Sequence, residues 1–400
     1  MGAESEVLLG MGGCVDHEVR WDAAVIEKLV REHRISAAEL SEPGHPGEGG
    51  SVHGEREMLL VLLSQLVRGS GSERFVDEPT ALLTFSRRFP VRKSLGGSSV
   101  RAAVALDRLG LSSTLHLVSI DDDVRRLLPR SATYMCSARL DSTHPHVIVQ
   151  YPAGARVRVG EEVLEAPQAN RLIFVNDPPN SELRIAPEFG LAVSAARVIV
   201  ISGFNTMAGL EAVGERAGQV REHLAGRTPG AVVVYEDAGF HHDDQREVVL
   251  RTLRDGVDIW SMNEDEAQHY LGRELDLLDP AQVVTAVDEL HDLVTVPTLV
   301  LHTRYWALAH GPRDLRAALA LGISTASARY VHGDDWQPTE RDAIAGMSAT
   351  GEAERAAADI EAGLGSTAVA AVPGLEVAEP TTIGLGDTFL GGLVAGLVQS

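Results

Sequence analysis

From about residue 196 onward, the apolar positions of the chain follow two alternating periodicities. Short runs rich in Val and Ile, such as Arg197–Ser202 and Ala231–Tyr235, are typical of strands that are buried on both faces. Each run is followed by a segment with apolar residues at helical spacing. Because strand and helix alternate up to a last strand near Ala368–Val372, the pattern predicts a mostly parallel sheet with helices on both faces. We therefore predict an α/β protein.

Several further elements follow from the same pattern. A strand is predicted over Glu6–Met11, and a helix over Ser98–Leu109, which Gly110 ends in a C-terminal capping position. The C-terminal half is predicted to contain helices from Met207 to about Leu224 and over Asp243–Leu253, Glu264–Leu271, Arg313–Leu321, Glu340–Glu361 and Phe389–Val398, with strands over Val257–Trp260 and Thr298–His302.

Two segments of the N-terminal half depart from this alternation. The first, 17–95, is loop-rich around one clear helix, Glu55–Val67, and the Pro and Gly residues of Ser41–Ser51 predict a surface loop. The second, 131–175, is rich in strands, of which His146–Tyr151 and Arg171–Val175 are the clearest. We expect 17–95 and 131–175 to form a smaller β-rich lid. The large domain would then comprise 1–16, 96–130 and 176–400.

Composition narrows the class of protein. The 400 residues carry a formal charge of −22, which argues against a broad positive face for nucleic acid or anionic lipid. No apolar run approaches the roughly 18–20 residues of a membrane span, and the N-terminus lacks the basic segment of a signal peptide. Two cysteines, Cys14 and Cys136, form no disulfide framework. We expect a cytoplasmic protein with small-molecule substrates, and the oligomeric state stays open.

The segment Gly384-Leu385-Gly386-Asp387 opens the last predicted helix. Free N–H groups at a helix start and the helix dipole favour a bound anion, and glycine lets the backbone approach that anion closely. A carboxylate at this place is unusual, and it fits a general base that takes a proton from an attacking hydroxyl. The alternative interpretation is that Asp387 is an ordinary N-cap.

Other small or polar segments lie where strands are predicted to end. Open α/β sheets bind ligands at the carboxyl ends of their strands. The segments that fit this rule are Gly12–Asp16, Gly96-Gly97, Asn263–Glu266 and Leu301–Tyr305.

Together these motifs resemble the ADP-dependent glucokinase and phosphofructokinase family, which belongs to the ribokinase-like sugar kinases. The resemblance covers most of the chain in order. It rests on Gly384–Asp387, Asn263-x-x-Glu266, Asn170–Ile173, Ser202-Gly203, His302-Thr303 with Tyr305, and Gly69–Glu73. One departure is that the family usually has His-x-Glu in the strand that ends at Glu236, whereas Val234 stands at the histidine position here.

This resemblance implies a ribokinase-like doubly wound sandwich and an enzyme that transfers a phosphoryl group to a sugar hydroxyl. Asp387 would be the general base, and the amides of Gly384, Leu385 and Gly386 would form the anion hole. Magnesium or another divalent cation would be held by Glu236, Asn263 and Glu266, although Glu266 also fits a solvated helix residue. The expected donor is ADP, with ATP as the alternative.

The resemblance also suggests binding residues for each substrate. The sugar side would comprise Asp16, Glu73, Gly96, Gly97 and His146, and the nucleotide side would comprise Arg171, His302, Thr303 and Tyr305. Simpler interpretations stay open: a turn residue for Asp16, a tight turn for Gly96-Gly97, an ordinary strand histidine for His146 and a solvated charge for Arg171.

The acceptor is the hardest prediction. Glu73 favours glucose or another unphosphorylated hexose, because a carboxylate is a poor neighbour for a bound phosphate. Arg156, Arg158 and Arg184 would favour a phosphorylated sugar if they converged, although a solvated strand face is the simpler interpretation of Arg156 and Arg158. Two alternatives to an ADP-dependent sugar kinase stay open: an ATP-dependent carbohydrate or nucleoside kinase, and a non-catalytic binding protein descended from such a kinase.

Overall fold

The strands of the chain form a large sheet, a small sheet and one separate pair. The computed structural model describes residues 6–41, 51–240, 242–377 and 380–400, so most of the predicted loop 41–51 lies outside the described residues. In chain order the strands are β1 Val7–Leu9, β2 Cys14–Val19, β3 Ser72–Phe75, β4 Val91–Gly96, β5 Ser113–Leu117, β6 Ala132–Cys136, β7 His146–Tyr151, β8 Arg156–Val159, β9 Glu162–Glu165, β10 Asn170–Val175, β11 Val198–Ile201, β12 Val232–Glu236, β13 Ile259–Asn263, β14 Thr298–His302, β15 Trp306–His310 and β16 Thr367–Ala371.

The large sheet has the strand order β16-β15-β14-β13-β12-β11-β1-β5-β6 within the described residues. Neighbours from β14 to β6 pair in parallel, whereas β15 and β16 pair antiparallel at one edge. The predicted α/β class with a mostly parallel central sheet is therefore confirmed. Both faces of the sheet are covered, because alternate residues of β11 enter different cores: Ile199 and Ile201 lie in one, and Val198 and Val200 lie in the other.

Helices supply the two layers that cover this sheet. In chain order the helices are α1 Ala23–Glu32, α2 Gly54–Arg68, α3 Pro79–Ser86, α4 Ser98–Arg108, α5 Asp122–Leu127, α6 Pro178–Glu182, α7 Phe189–Ala195, α8 Leu210–Leu224, α9 Asp243–Leu253, α10 Glu264–Leu271, α11 Pro280–Val294, α12 Arg316–His332, α13 Pro338–Ala345, α14 Gly351–Gly363 and α15 Leu385–Gln399. One core contains residues of α8, α9 and α11, and the other contains residues of α4, α12 and α15.

Two predicted helices differ most from the structure in length. The helix predicted over Arg313–Leu321 continues to His332, because Gly322 packs inside it: a Cβ there would lie 2.8 Å from the ring of Phe389. Gly322 allows close contact between α12 and α15 and does not form a turn. The single helix predicted over Glu340–Glu361 is two helices, α13 and α14.

The small sheet has the order β3-β10-β7-β2-β4 and mixes parallel with antiparallel pairs. One face is apolar, and its residues Val147, Val149 and Phe174 pack in a third core with helices α1, α2 and α3. Residues of the opposite face, such as Asp16 and His146, pair across β2 and β7 and are mostly polar. This polar face carries the sugar-side residues described below.

The start of the second predicted lid segment is wrong. We expected 131–175 to belong to the small sheet, but β6 is the edge strand of the large sheet and pairs in parallel with β5. Burial alternates only weakly along β6, because Tyr134 is exposed and Cys136 is half-buried. The strand pattern therefore does not indicate which sheet β6 joins. The segment therefore joins the small sheet only from β7 onward.

Candidate active site

Asp387 lies in the first turn of α15, after the left-handed residue Gly384, whose φ is 68°. A Cβ at Gly384 would lie 2.8 Å from two side-chain atoms of Arg101, so glycine is required there by both backbone and space. Gly384 itself is the N-cap, and no side chain caps this helix end. The interpretation of Asp387 as an ordinary N-cap is therefore wrong. Its carboxylate, only partly buried, is available for chemistry at the helix start.

Arg101 connects this carboxylate to the small sheet. Its Nη2 donates to Oδ2 of Asp16 over 2.6 Å, and its Nε lies 3.8 Å from Oδ2 of Asp387. Burial disfavours the charged guanidinium, but the charges of Asp16 and Asp387 more than offset burial and raise the pKa of Arg101 further. One buried cation therefore holds the predicted base and a predicted sugar ligand in fixed relation.

The glycine pairs beside Asp16 allow the chain segments to approach closely. A Cβ at Gly96 would collide with the Asp16 carboxylate and would lie 2.6 Å from Sγ of Cys14. Gly97 has a φ of 93°, and a Cβ there would lie 3.0 Å from Cα of Gly13. The tight-turn interpretation of Gly96-Gly97 therefore holds, and the same turn brings bare backbone next to Asp16.

His146 has a partner at each of its two ring nitrogens. Its Nδ1 lies 3.4 Å from Sγ of Cys14, and its Nε2 lies 3.2 Å from Oδ2 of Asp177. Asp177 also accepts from Nδ2 of Asn180 over 2.7 Å, and Asn180 in turn bonds both backbone groups of Gly13. Burial raises the pKa of the Cys14 thiol to about 12, so the sulfur keeps its proton.

Glu73 and Arg171 lie away from Asp16. Both are exposed, and both occupy the polar face of the small sheet, Glu73 on the edge strand β3 and Arg171 on β10. Two strands separate β3 from β2, which places Glu73 about 14 Å sideways from the strand of Asp16. Arg171 does not line the nucleotide-side cavity described below.

The three arginines that would favour a phosphorylated sugar do not converge. Arg156 pairs with Glu165 over 2.7 Å across the separate strand pair β8 and β9, and Arg158 is an exposed neighbour on the same strand. Arg184 pairs with Glu182 over 2.6 Å after α6. The solvated strand face is the correct interpretation of Arg156 and Arg158.

A cavity of about 500 Å³ opens beside the start of α15. Its lining includes His302, Thr303, Tyr305, Leu385 and Gly386. The strand ends and the helix start therefore meet here as predicted. The Thr303 hydroxyl accepts from the backbone N–H groups of Tyr305 and Trp306 and thereby closes the turn, so it shapes the wall of the cavity.

His302 contacts Glu236 across the large sheet. Its Nε2 lies 3.2 Å from Oε1 of Glu236, two strands away in the large sheet, and its ring stacks on Phe389 at a centroid distance of 4.7 Å. Burial opposes protonation, but the hydrogen bond and the charge of Glu236 raise the pKa of His302. The acidic partner at this strand end thus retains an imidazole neighbour.

Asn263 and Glu266 begin α10 as a capping box. Oδ1 of Asn263 accepts from the N–H groups of Asp265 and Glu266, and Oε2 of Glu266 accepts from the N–H of Asn263 over 2.7 Å. Burial raises the pKa of Glu266 to about 8, and the nearby charges of Asp237 and Glu236 act in the same direction. Glu266 is therefore not the solvated helix residue of the simpler interpretation.

The residues present fit a divalent cation. Oε2 of Glu236 is buried and has no hydrogen-bond partner within the described residues. A buried carboxylate oxygen of this kind is costly unless a cation or water satisfies it. Because Oδ1 of Asn263 is already committed to two backbone donors, Asn263 fits a positioning role better than that of a direct ligand. Glu236 and Glu266 suit Mg²⁺ that keeps most of its water.

Sequence reasoning missed a second buried arginine at this site. Arg329 donates from Nε to the carbonyl of Ile383 over 2.9 Å, directly before the Gly384 turn, and pairs with Asp334. Its Nη2 is buried, and the described part of the chain offers it no hydrogen-bond partner. The available signal was an arginine directly after a run of small helical residues, Ser324–Ala328, and a similar signal marks Arg101 between Val100 and Ala102.

The fold is that of an α/β protein with a cavity at the strand ends, and comparison with known proteins specifies the family. The family model described as "ADP-specific Phosphofructokinase/Glucokinase conserved region" matches residues 5–393. The chain therefore belongs to this family, and it is a sugar kinase, a phosphotransferase. Membership supports ADP as the phosphoryl donor. No curated protein sequence shows a significant match.

Solved structures agree in fold over nearly the whole chain. A hypothetical ADP-dependent phosphofructokinase from Pyrococcus horikoshii OT3 superposes with a TM-score of 0.78 at 17% identity, covering 99% of this chain and 98% of that one. The last common ancestor of ADP-dependent phosphofructokinases from Methanosarcinales gives 0.76 at 14% identity and coverages of 99% and 94%. An ADP-dependent kinase in complex with fructose-6-phosphate and ADPβS gives 0.74 at 12% identity, with the same coverages.

Over the described residues, every helix is too short or too polar to cross a membrane.

Proposed function

We propose that this protein transfers the terminal phosphoryl group of ADP to a hydroxyl of a hexose or hexose phosphate, with Asp387 as general base. The observation that carries the proposal is the placement of Asp387. Its carboxylate lies in the first turn of α15, and Arg101 links it to Asp16 on the sugar side. Arg101 thereby connects the proton acceptor Asp387, at the anion-binding start of α15, with Asp16, the carboxylate that binds a sugar hydroxyl.

Asp387 takes the proton of the attacking hydroxyl as the oxygen approaches the phosphoryl group. Asp16 accepts a hydrogen bond from the sugar and fixes its orientation. Arg101 places its positive charge between the two carboxylates, since each lies within an ion-pair distance of its guanidinium. A fixed geometry of this kind converts the encounter of two substrates into an oriented reaction.

The amides at Gly384, Leu385 and Gly386 hold the phosphoryl oxygens. They open a fifteen-residue helix, and unpaired N–H groups and the dipole at such a start favour negative charge. Nε of Arg329 bonds the carbonyl of Ile383 directly before this turn, and its unpaired Nη2 supplies a further donor for the same anion.

Glu236 and Glu266 hold the divalent cation, and Asn263 positions Glu266 through the capping box. Bound Mg²⁺ supplies positive charge to the phosphate oxygens of the donor. His302 orients Glu236 by its hydrogen bond. The nucleotide base occupies the cavity lined by Tyr305 and Phe389.

The acceptor is a hexose, and a phosphorylated hexose is the second candidate. One structural comparison supports the second candidate. The kinase that superposes with a TM-score of 0.74 was solved with fructose-6-phosphate. Arg156, Arg158 and Arg184 give it no support, since they lie apart and pair with local residues or solvent.

The test is a coupled assay of donor consumption with purified protein. ADP and ATP are compared, each with glucose and with fructose 6-phosphate, in Mg²⁺ and in excess EDTA. We expect turnover with ADP and one of the two sugars, and none in EDTA. Binding of both substrates without turnover would favour the non-catalytic alternative, and a preference for ATP would favour the other kinase class.

A further inference from the structure

Three potential metal ligands converge at the polar face of the small sheet, away from the acidic pair Glu236 and Glu266. Cys14 begins β2, His146 begins β7 and Asp177 caps α6. One ligand atom from each of the three lies within 4.8 Å of the others. Across the described residues, no other set of three or more His, Cys, Asp or Glu side chains converges in this way.

We propose that Cys14, His146 and Asp177 bind a thiophilic divalent cation such as Zn²⁺, and that this cation competes with the sugar. Thiolate, imidazole and carboxylate together are the ligands that Zn²⁺ prefers. Mg²⁺ prefers oxygen ligands and water, so the thiol separates this site chemically from the acidic pair.

The distance between Cys14 and His146 suits tetrahedral coordination. Zinc bonds of about 2.3 Å to sulfur and about 2.0 Å to nitrogen place the two ligand atoms roughly 3.5 Å apart. Sγ of Cys14 and Nδ1 of His146 lie 3.4 Å apart, so this half of the site is already spaced for the cation. Asp177 faces the opposite ring nitrogen over 3.2 Å and must turn toward the sulfur to join. When the cation binds, the S–H bond breaks and its proton passes to solvent.

The site is reachable from solvent, and it adjoins the sugar residues. The His146 side chain keeps 16% of its surface exposed, whereas Cys14 is buried behind it. Oδ1 of Asp16 lies 3.5 Å from the Cys14 sulfur, so a cation bound to this sulfur would lie next to the proposed sugar ligand. Competition with the sugar rests on the proposed function, whereas binding of the cation does not.

The binding test uses Co²⁺ as a spectroscopic substitute for Zn²⁺ on the EDTA-treated, full-length protein. A thiolate bound to Co²⁺ gives a near-ultraviolet charge-transfer absorption. We expect one equivalent of Co²⁺ to produce this band in the wild type, excess Zn²⁺ to remove it and excess Mg²⁺ to leave it. Cys136→Ser is the matched control, because it removes the other cysteine, which lies on β6 of the large sheet, and it should keep the band.

Cys14→Ser should lose the band, and His146→Gln should weaken Co²⁺ binding at least tenfold. Circular dichroism identifies a variant that fails to fold, and His146→Gln then carries the test in place of Cys14→Ser. Absence of the band in the wild type, or its persistence in folded Cys14→Ser, would overturn the cation site.

In the kinase assay Zn²⁺ should raise the KM of the sugar and leave that of ADP unchanged. A Zn²⁺ effect on ADP alone would overturn the competition, and a lack of all turnover would count against the proposed function while the band still reports on the cation site.

Discussion

The nucleotide side and the sugar side of this molecule differ in how their residues are brought together. In the large sheet, Glu236, Asn263 and His302 lie together at the carboxyl ends of parallel strands, because each is the last residue of its strand. At the small sheet, the sugar-side residues come from strands whose spatial order differs from their chain order. The strand of Asp16 lies between those of Gly96 and His146, whereas Glu73 lies on the far strand β3. The site of a parallel α/β sheet can therefore be predicted from the residues at its strand ends, whereas the site of a mixed sheet cannot.

The strongest test of the junction between the two sides is Asp387→Asn. Removal of a general base typically lowers turnover by ~10²–10⁴-fold, and the fold should persist because Asp387 does not cap its helix. The measurement is kcat with ADP and the accepted sugar. Asp335→Asn is the control: Asp335 is fully exposed, and its loss should leave kcat unchanged. If Asp387→Asn keeps most of the wild-type kcat, Asp387 is not the base.

Arg101 joins the two sides, so Arg101→Met should destabilise the protein by about 3–5 kcal/mol, because Asp16 is left buried without its cation. Urea unfolding measures this loss. The double variant Arg101→Met with Asp16→Asn should regain part of the free energy of unfolding, because the uncompensated charge is gone. Arg156→Met, which breaks an exposed pair with Glu165, should cost less than about 1 kcal/mol. Equal costs for the two arginine variants would contradict the bridging role.

What the sequence could predict follows the same division. Asp243–Leu253 and Glu264–Leu271 have the bounds that their pattern predicted, because caps and apolar spacing are local properties. The strand order of the small sheet depends on contacts between segments far apart in the chain, and β6 was misassigned for the same reason. Arg101 and Arg329 were missed, because a buried arginine looks like a surface charge until its partners are known.

On the nucleotide side, the raised pKa of Glu266 predicts a pH dependence of stability in metal-free buffer. The folded protein holds a proton on Glu266 up to about pH 8, whereas the unfolded chain releases it near its ordinary value of 4.5. Stability should therefore fall as pH rises between these values, by at most roughly 1.4 kcal/mol per pH unit for this group.

Glu266→Gln should flatten this fall, since glutamine carries no proton to lose and can still complete the capping box. Asp237, whose pKa is raised to about 6 by burial, should leave a smaller slope at lower pH. Thermal melts between pH 5 and pH 8 measure both slopes. Glu266→Gln should also need more Mg²⁺ for half-maximal activity. Parallel stability curves for wild type and variant would show that Glu266 holds no proton.

The smallest effect is expected at Glu73, on the sugar side. Its strand lies at the far edge of the small sheet, about 14 Å sideways from the strand of Asp16, so one hexose held at Asp16 lies beyond its reach. Glu73 is exposed, and exposed substitutions change free energies by about 0.5 kcal/mol, which is about twofold in kcat/KM. We expect Glu73→Ala to change kcat/KM for the sugar by no more than this, and Asp16→Asn to lower it far more. If both variants lose activity equally, the sugar contacts Glu73 as well as Asp16. The sugar site would then extend across the small sheet from β2 to β3.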